Sequence, residues 1–239
     1  MSEAVRSSAF NAYQKAVTGS ERARHTYHRR LNAMRDFAGD FANKTILDLG
    51  CGFGFRTVGI AASGAAFILG IDTDDDRIRE ANGFARSKGI DNVDFVHMNA
   101  EGLAFPDETF DVVVADEMIH HLENLPQVMQ EMHRVLKYDG IVIISDHNRL
   151  SLPSEIMRSV YFGKDKERVF TAQEVKRYLA QTGFKDIVYR HIIFTIPWAK
   201  TPRIILRINY ILESFIEKTP FLRSQCGVYL VKGIKRRSN

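Results

Sequence analysis

The stretch Thr45 to Gly54, TILDLGCGFG, constrains the fold of this chain more than any other segment. An apolar run ends at Asp48 and Leu49, and glycine then occupies every second position. Glycine lacks a Cβ and adopts positive φ without strain, so the pattern predicts a strand that enters a tight turn close to a small ligand. A second apolar run ends in another acid, Asp72. Strand, glycine turn, helix, strand and acid is the order found at sites for adenosine-containing cofactors.

The middle of the chain alternates apolar strand patterns with helical patterns. Strands are predicted at 45–49, 66–71, 93–97, 110–115, 140–145, 187–196 and 226–234. Helices are predicted at about 56–63, 75–88, 125–137, 171–183 and 203–217. Near-continuous apolar strands separated by helices indicate an α/β Rossmann-like protein whose sheet is covered on both faces. Right-handed crossovers then bring the carboxyl ends of the parallel strands to one edge, where ligands bind.

The first 38 residues are polar and follow a helical period, with Gly19 and Ser20 dividing them into two helices. We therefore expect an N-terminal helical lid over 1–39, followed by one domain over 40–239. A helical insertion is predicted within that domain at about 198–224.

The charge of the chain is distributed unevenly. The whole chain has a net charge of +4, but residues 1–44 carry +4 and residues 200–239 carry +7, which leaves the middle acidic. Basic ends can attract nucleic acid, a phosphorylated metabolite or an anionic membrane, although a solvated surface is the simpler interpretation of either end alone. Two cysteines, no signal-peptide pattern and no apolar run of membrane-spanning length together favour a cytoplasmic location.

The glycine spacing excludes the dinucleotide cofactors. Their G-x-G-x-x-G pattern would require glycine where this chain has Phe55 or Thr57, and no phosphate-binding G-x-x-x-x-G-K-[ST] loop follows the strand. Asp48, two residues before the first glycine, is poorly placed for phosphates and well placed for an ammonium group. The residues therefore favour a ligand with an amino-acid head.

Asp48 to Gly54, DLGCGFG, resembles the first motif of the class I S-adenosylmethionine-dependent methyltransferases. Four further segments resemble later motifs of that family in the same order: GID at 70–72, MNAEGLAFP at 98–106, FDVVV at 110–114 with IHHL at 119–122, and RVLKYDG at 134–140. The resemblance is dense over about residues 40–146. It is strongest to the broad group that includes ubiquinone/menaquinone-pathway and small-molecule methyltransferases.

The resemblance implies a seven-strand sheet, mostly parallel, with an antiparallel last strand. It also implies S-adenosylmethionine as cofactor and S-adenosylhomocysteine as its product. The implied cofactor-binding residues are Asp48, Gly50, Gly52, Gly54, Asp72, Thr73, Asn99, Ala100 and Asp116. Within this set Gly50 and Gly52 would line the methionine part, Asp72 would accept both ribose hydroxyls, and Asn99 with Ala100 would meet the adenine. The chain departs from the family at Asn99, where Asp is usual.

Two roles are open for Asp48: it would either meet the ammonium of the cofactor or tie the glycine loop through backbone N–H groups. Two are also open for the histidines after the fourth strand. His121 or His120 would act as a general base if the acceptor is a hydroxyl, or one of them packs inward without a catalytic role. The lid offers Phe10, Tyr13 and Tyr27 as candidate acceptor-binding residues. No metal site is expected.

The acceptor is not specified by the sequence. A small molecule, apolar or lipid-like, is the preferred class; methylation of RNA or protein is the alternative, and a non-catalytic cofactor-binding protein is a third hypothesis. Nucleic acid is disfavoured because no RNA-binding module is recognised in the sequence and the fourth strand is followed by Ala115 to Met118 rather than by an Asn-Pro-Pro-Tyr-type motif.

The apolar face of helix 203–217 is expected to cover the sheet, with an acceptor lid or peripheral membrane contact as alternatives. The oligomeric state is left open.

Overall fold

The computed structural model describes residues 3–152, 168–193 and 203–237. Its centre is one seven-stranded sheet in the order β3-β2-β1-β4-β5-β7-β6. The strands are β1 Thr45–Leu49, β2 Phe67–Asp72, β3 Val93–His97, β4 Phe110–Asp116, β5 Leu136–His147, β6 Lys185–Ile192 and β7 Val228–Ile234. β7 runs antiparallel to both of its neighbours, while β1 to β5 pair in parallel. This confirms the predicted Rossmann-like sheet and its antiparallel last strand.

The described helices are α1 Glu3–Thr18, α2 Glu21–Ala38, α3 Phe55–Ala61, α4 Asp75–Ser87, α5 Leu125–Val135, α6 Ala172–Thr182 and α7 Arg203–Lys218. Their ends follow from local capping. The Ser20 side chain accepts a hydrogen bond from the Ala23 amide at the start of α2, as predicted. Thr171 and Glu174 form a reciprocal capping box at α6, and Gly183 ends that helix with a φ of 106°.

Apolar cores cover both faces of the sheet. Helices α5 and α6 pack on one face with side chains such as Met129, Val175 and Leu179. Helix α2 and the end of α3 pack on the other, where Met34 and Ile60 are fully buried. The carboxyl ends of β1, β2, β4 and β5 therefore emerge together at one edge.

Strand β5 begins earlier than predicted. The expected turn at Tyr138 to Gly140 lies inside the strand, as an irregularity in its pairing with β4. Asp139 has a φ of 62° and its amide donates to the Lys235 carbonyl at 2.7 Å. The turn residues were identified correctly, but hydrogen bonds to the neighbouring strands keep them in the sheet.

Helix α7 is oriented opposite to the prediction. Its apolar residues do not cover the sheet: Ile211 is 73% exposed and Phe215 62% exposed. Asn209 and Glu213 are buried instead, with Glu213 2% exposed. The expectation that the isoleucine-rich face of this helix covers the sheet is therefore wrong.

The reason is the polarity of the surface beneath α7. His25 of α2 lies 2.8 Å from Glu213, ring nitrogen to carboxylate oxygen, and its ring stacks on Tyr210 at 3.8 Å between centroids. Arg29, also on α2, pairs with Glu217 at 2.5 Å. Because the lid helix presents charged groups here, the polar side of α7 turns inward.

Parts of two predictions lie outside the described residues: the end of the strand predicted at 187–196 and the first residues of the insertion predicted at 198–224. Among the described helices, none combines the length and apolar character needed to cross a bilayer.

The turn between β1 and α3 generates a stability prediction. Gly54 has a φ of 73°, and a Cβ added there would lie 2.7 Å from the Phe95 ring and 2.9 Å from the Ala81 methyl. Gly64 has a φ of 96° but no atom within 4 Å of an added Cβ. We expect Gly64→Ala to lower the free energy of unfolding by about 1 kcal/mol and Gly54→Ala by about 2–4 kcal/mol, because only the latter adds a steric clash to backbone strain. Urea denaturation followed by circular dichroism measures both, and equal losses would contradict the packing argument.

Candidate functional site

The glycine turn lies at the carboxyl end of β1. Gly50, Gly52 and Gly54 all have positive φ, at 67°, 53° and 73°. A Cβ at Gly50 would approach Met118 to 2.5 Å, so this glycine allows the turn to contact the segment after β4. Gly52 has open space instead, with nothing within 4 Å of an added Cβ. The turn thus presents exposed backbone at Gly52, where a ligand can approach closely.

Asp72 joins the end of β2 to the glycine turn. One carboxylate oxygen accepts from the Gly52 amide at 2.9 Å, and the other accepts from the Asp74 amide at 3.0 Å. The N-cap of α4 is Asp74, whose side chain accepts from the Asp76 and Arg77 amides. Asp72 is therefore not the helix cap, and its half-buried carboxylate stands beside the glycine turn.

The segment after β3 completes this end of the sheet. Its Met98 amide donates to the Asp72 carbonyl at 3.0 Å, and the Thr73 carbonyl lies 3.0 Å from Nε2 of His97. Asn99 is exposed, and its side-chain oxygen accepts from the Glu101 amide at 2.9 Å, while Ala100 is buried. Two of the predicted cofactor residues, Thr73 and Asn99, are thus held by local hydrogen bonds next to Asp72, and a third, Ala100, is buried beside Asn99.

Asp48 is buried beneath the turn, 4% exposed. One of its carboxylate oxygens accepts from the Thr57 hydroxyl at 2.6 Å, so it ties β1 to α3 through a side chain rather than through the backbone N–H groups that were one expectation. Burial raises the pKa of Asp48 to about 7, against the opposing effect of the Thr57 hydrogen bond.

A largely buried cluster of four charges lies at the end of β4, and we call it the arginine–carboxylate cluster: Arg30, Arg56, Asp116 and Glu117. Arg30 comes from α2 and is 3% exposed; its Nη1 lies 2.6 Å from Glu117 and its Nε 2.7 Å from Asp116. Arg56, in the first turn of α3, pairs with both acids and lies 3.1 Å from Glu117. The cluster joins the lid helix, the glycine turn and β4.

The cluster fixes the charge state of Glu117. Burial alone would raise the pKa of this carboxyl, but Arg30, Arg56 and His147 together hold the pKa well below its usual range. The backbone of Glu117 is also constrained, with a φ of 53° and its amide donating to the Ser145 carbonyl at 2.8 Å. Within the described part of the chain, the buried Nη2 of Arg30 has no hydrogen-bond partner. A donor of this kind suits an anionic ligand group.

Sequence reasoning predicted Asp116 as a cofactor-binding residue, gave Glu117 as a weaker candidate at the same edge, and missed Arg30 and Arg56. Two signals pointed to them. Two adjacent acids at the end of an apolar strand require cations if they are buried, and Arg56 directly follows the glycine turn. The partner from α2 is 86 positions away from Asp116 in sequence, so no local pattern connects them.

The two histidines after β4 differ in their surroundings. Nδ1 of His120 lies 2.7 and 2.9 Å from the two carboxylate oxygens of Asp146, and both side chains are buried. His121 is exposed and its ring packs against His120 at 4.0 Å between centroids. A carboxylate at Nδ1 favours the proton on that nitrogen, which leaves Nε2 as the basic atom of His120.

The predicted lid aromatics contact the glycine turn and the start of α3. Phe10 stacks on Phe55 at 5.3 Å, and Tyr13 lies 5.3 Å from Phe53, both between ring centroids. The Tyr27 hydroxyl donates to the Phe55 carbonyl at 2.8 Å. These three residues cover residues 53–55, so the lid packs on the turn itself.

Asp48 generates a pH-dependent stability prediction. The pKa of its carboxyl is raised from 3.8 to about 7, so its protonated form stabilises the fold below about pH 4 and that contribution is lost as the pH rises through about 7. An asparagine keeps an acceptor for Thr57 and does not titrate. We expect the free energy of unfolding of the wild type, relative to Asp48→Asn, to fall by up to about 4 kcal/mol between about pH 4 and pH 8.

Urea denaturation across this pH range measures the difference. Asp91→Asn, at an exposed aspartate, is the matched control and should leave the pH dependence close to that of the wild type. A difference between wild type and Asp48→Asn that does not change with pH would contradict the assignment.

Comparison with known proteins agrees with this geometry. A family model described as methyltransferase domain matches residues 40–186, more than half of the chain. The ubiquinone biosynthesis O-methyltransferase of Ruegeria pomeroyi is 30% identical over 200 residues, covering 79% of this chain and 78% of that protein. The uncharacterized methyltransferase YcgJ of Bacillus subtilis is 32% identical over 133 residues, covering 49% of this chain and 52% of that protein.

The chain spans about half the length of the first curated relatives it matches. The crystal structure of YcgJ superposes with a TM-score of 0.61 at 24% identity, covering 88% of this chain and all of that one, which supports the fold. With the glycine turn, the acid at the end of β2 and the family match in agreement, the chain belongs to the methyltransferase domain family, among the class I S-adenosylmethionine-dependent methyltransferases.

Proposed function

We propose that the protein transfers the methyl group of S-adenosylmethionine to a hydroxyl of a small, largely apolar molecule, with His120 as the general base. The observation that carries the choice of a hydroxyl is the His120–Asp146 pair, 2.7 Å apart and buried at the same edge of the sheet as the glycine turn. Met118 places the segment that bears His120 directly against Gly50.

The residues at this edge fit the cofactor. Gly52 leaves room for close approach, and each oxygen of Asp72 accepts one backbone hydrogen bond and retains a second lone pair for a ribose hydroxyl. The exposed Asn99 and the backbone of Ala100 would meet the adenine. When bound, S-adenosylmethionine supplies a methyl group on a positively charged sulfur.

The arginine–carboxylate cluster supplies two further contacts. Nη2 of Arg30 is a buried donor without a hydrogen-bond partner among the residues that the structure describes, and Arg56 lies in the first turn of α3, after the last glycine. We assign to these two groups the carboxylate of the methionine part, because a guanidinium binds a carboxylate with directed, charge-assisted hydrogen bonds. Asp48, buried beneath the turn, is assigned to the ammonium of the same amino-acid head.

The histidine pair supplies the proton transfer. Nε2 of His120 would take the proton of the acceptor hydroxyl, and Asp146 at Nδ1 would hold the ring in position and stabilise the imidazolium that forms. A general base is required for a hydroxyl because a neutral alcohol or phenol is a weak nucleophile. An amine acceptor would not need this pair in the same way.

The apolar character of the acceptor is supported by the lid and by a relative. Phe10, Tyr13 and Phe53 form an aromatic group over the glycine turn. A ubiquinone biosynthesis O-methyltransferase is among the relatives that match most of this chain.

Methylation of RNA or protein is the alternative, and the basic ends of the chain favour it. Incubation with cell extract and methyl-labelled cofactor separates the two hypotheses. We expect the label in the solvent-extractable fraction, whereas label in RNA or protein would support the alternative.

Cofactor binding is tested at Asp72. We expect Asp72→Ala to weaken the affinity for S-adenosylmethionine at least thirtyfold, or about 2 kcal/mol, because two charge-assisted hydrogen bonds to the ribose are lost. Isothermal titration calorimetry measures the dissociation constant, with Asp75→Ala, an exposed acid in the first turn of α4, as the charge-matched control. A melting temperature close to the wild type verifies folding, and unchanged affinity in folded Asp72→Ala would refute the ribose role.

The general base is tested by comparing the two adjacent histidines. We expect His120→Gln to lower the rate of label transfer by about 10²–10⁴-fold with little change in cofactor affinity, and Asp146→Asn to lower it less. His121→Gln, one residue away and exposed, is the control and should keep most of the activity. The pH profile of the wild type should lose its acidic limb in His120→Gln. Equal effects of His120→Gln and His121→Gln would contradict the assignment.

A further inference from the structure

Helix α7 exposes a continuous apolar surface. We call it the apolar stripe, five exposed residues that lie on one side of the helix: Ile204, Ile208, Ile211, Leu212 and Phe215. At 3.6 residues per turn the stripe spans an arc of about 100°. Phe221, 90% exposed, and Leu222 extend it beyond the helix. Exposed apolar surface this extensive marks an interaction site.

The exposed charges on α7 and in the segment directly after it have one sign. Arg207 and Lys218 are exposed on α7, and Arg223 is exposed just beyond it. The two acids of the helix, Glu213 and Glu217, turn away from the stripe toward α2. Among the described side chains of α7, every exposed charge is therefore positive. The surface as a whole combines aliphatic and aromatic side chains with a basic rim.

The inward side of α7 holds the stripe outward. Glu213 pairs with His25 at 2.8 Å, and Glu217 pairs with Arg29 while accepting from the Ile193 amide at 2.9 Å. Turning the helix over would break these bonds and bury charge without partners, which costs several kcal/mol. These bonds therefore keep the apolar stripe on the surface in the folded protein.

We propose that α7 and residues 219–223 dock on the surface of an anionic lipid bilayer, with the apolar stripe in the boundary between headgroups and acyl chains and the basic rim on the lipid phosphates. A 16-residue helix with one apolar face and an exposed basic rim has the features of helices that lie in a membrane interface. The docking proposal does not depend on the proposed methyl transfer.

A second copy of the chain fits this surface less well. A two-fold dimer places the same patch against itself, so the basic rims of two copies would face each other without compensating acids. An anionic bilayer offers the opposite charge and accepts the stripe without the shape complementarity that a protein partner requires.

Docking here would place the candidate active site close to the bilayer. Helix α2 contacts α7 through His25 and Arg29, and its next residue, Arg30, belongs to the arginine–carboxylate cluster. One helix thus lies between the docking surface and the site. If the proposed function holds, an apolar acceptor could be supplied from the membrane.

Sedimentation with vesicles tests the docking. We expect the wild type to bind phosphatidylcholine vesicles that contain phosphatidylglycerol, to bind pure phosphatidylcholine at least tenfold more weakly, and to lose most binding at about 0.5 M salt, where charges are screened within a few ångströms. The double variant Ile211→Glu with Phe215→Glu should lower the partition coefficient on anionic vesicles at least tenfold. Val188→Glu, at an exposed apolar residue on β6, is the control and should bind like the wild type.

Both substituted side chains are exposed, so the double variant should keep the melting temperature and the cofactor affinity of the wild type. Measuring that affinity in the same variant separates a failure of docking from a failure of the proposed function. Absence of wild-type binding to anionic vesicles would overturn the proposal, as would equal binding by the double variant. A dimer in analytical ultracentrifugation that the double variant dissociates, together with no vesicle binding, would assign the stripe to a second copy instead.

Discussion

The arginine–carboxylate cluster is the interaction on which the arrangement of the site depends. The buried side chain of Asp116 at the end of β4 and the partly buried side chain of Glu117 directly after it are compensated by two guanidinium groups. Because Arg30 comes from α2 and Arg56 from α3, this compensation fixes the lid helix to the sheet and to the glycine turn. Removing one partner of a buried ion pair typically costs about 3–5 kcal/mol, so the lid is part of the folded site rather than an independent addition.

The same helix determines the unusual orientation of α7. Arg30 faces the sheet, while His25 and Arg29 lie against α7 and meet its carboxylates. The polar side of α7 therefore faces α2, and the apolar residues on its other side are exposed. Helix α2 thus contributes Arg30 to the candidate site and determines which side of α7 is exposed, so the candidate site and the apolar stripe are both adjacent to α2.

Local sequence patterns were sufficient for most of the fold and for the position of the glycine turn. That turn, the acid at the end of β2 and the helix caps depend on residues within a few positions of one another, and the structure contains them where they were predicted. Arg30 and Arg56 were missed because their partners at the end of β4 are 60 to 87 positions away. The prediction of the orientation of α7 failed for a related reason. An amphipathic period defines two faces of a helix, and in this protein a helix distant in sequence, α2, determines which face is buried.

The chemistry of the site depends on a distinction that sequence cannot make. His120 and His121 are adjacent and identical in type, yet the short helical turn at Ile119–His121 directs only one of them to Asp146 on β5. Transfer from a sulfonium leaves a neutral thioether, so no acid is needed at the leaving group, and the demand on the protein falls on alignment and on the acceptor proton. In the proposed reaction, a histidine held by a buried carboxylate would meet the second demand for a hydroxyl. The N-terminal helices, fixed by Arg30 and packed on the glycine turn through their aromatic residues, would meet the first by excluding water and limiting the poses of the proposed acceptor.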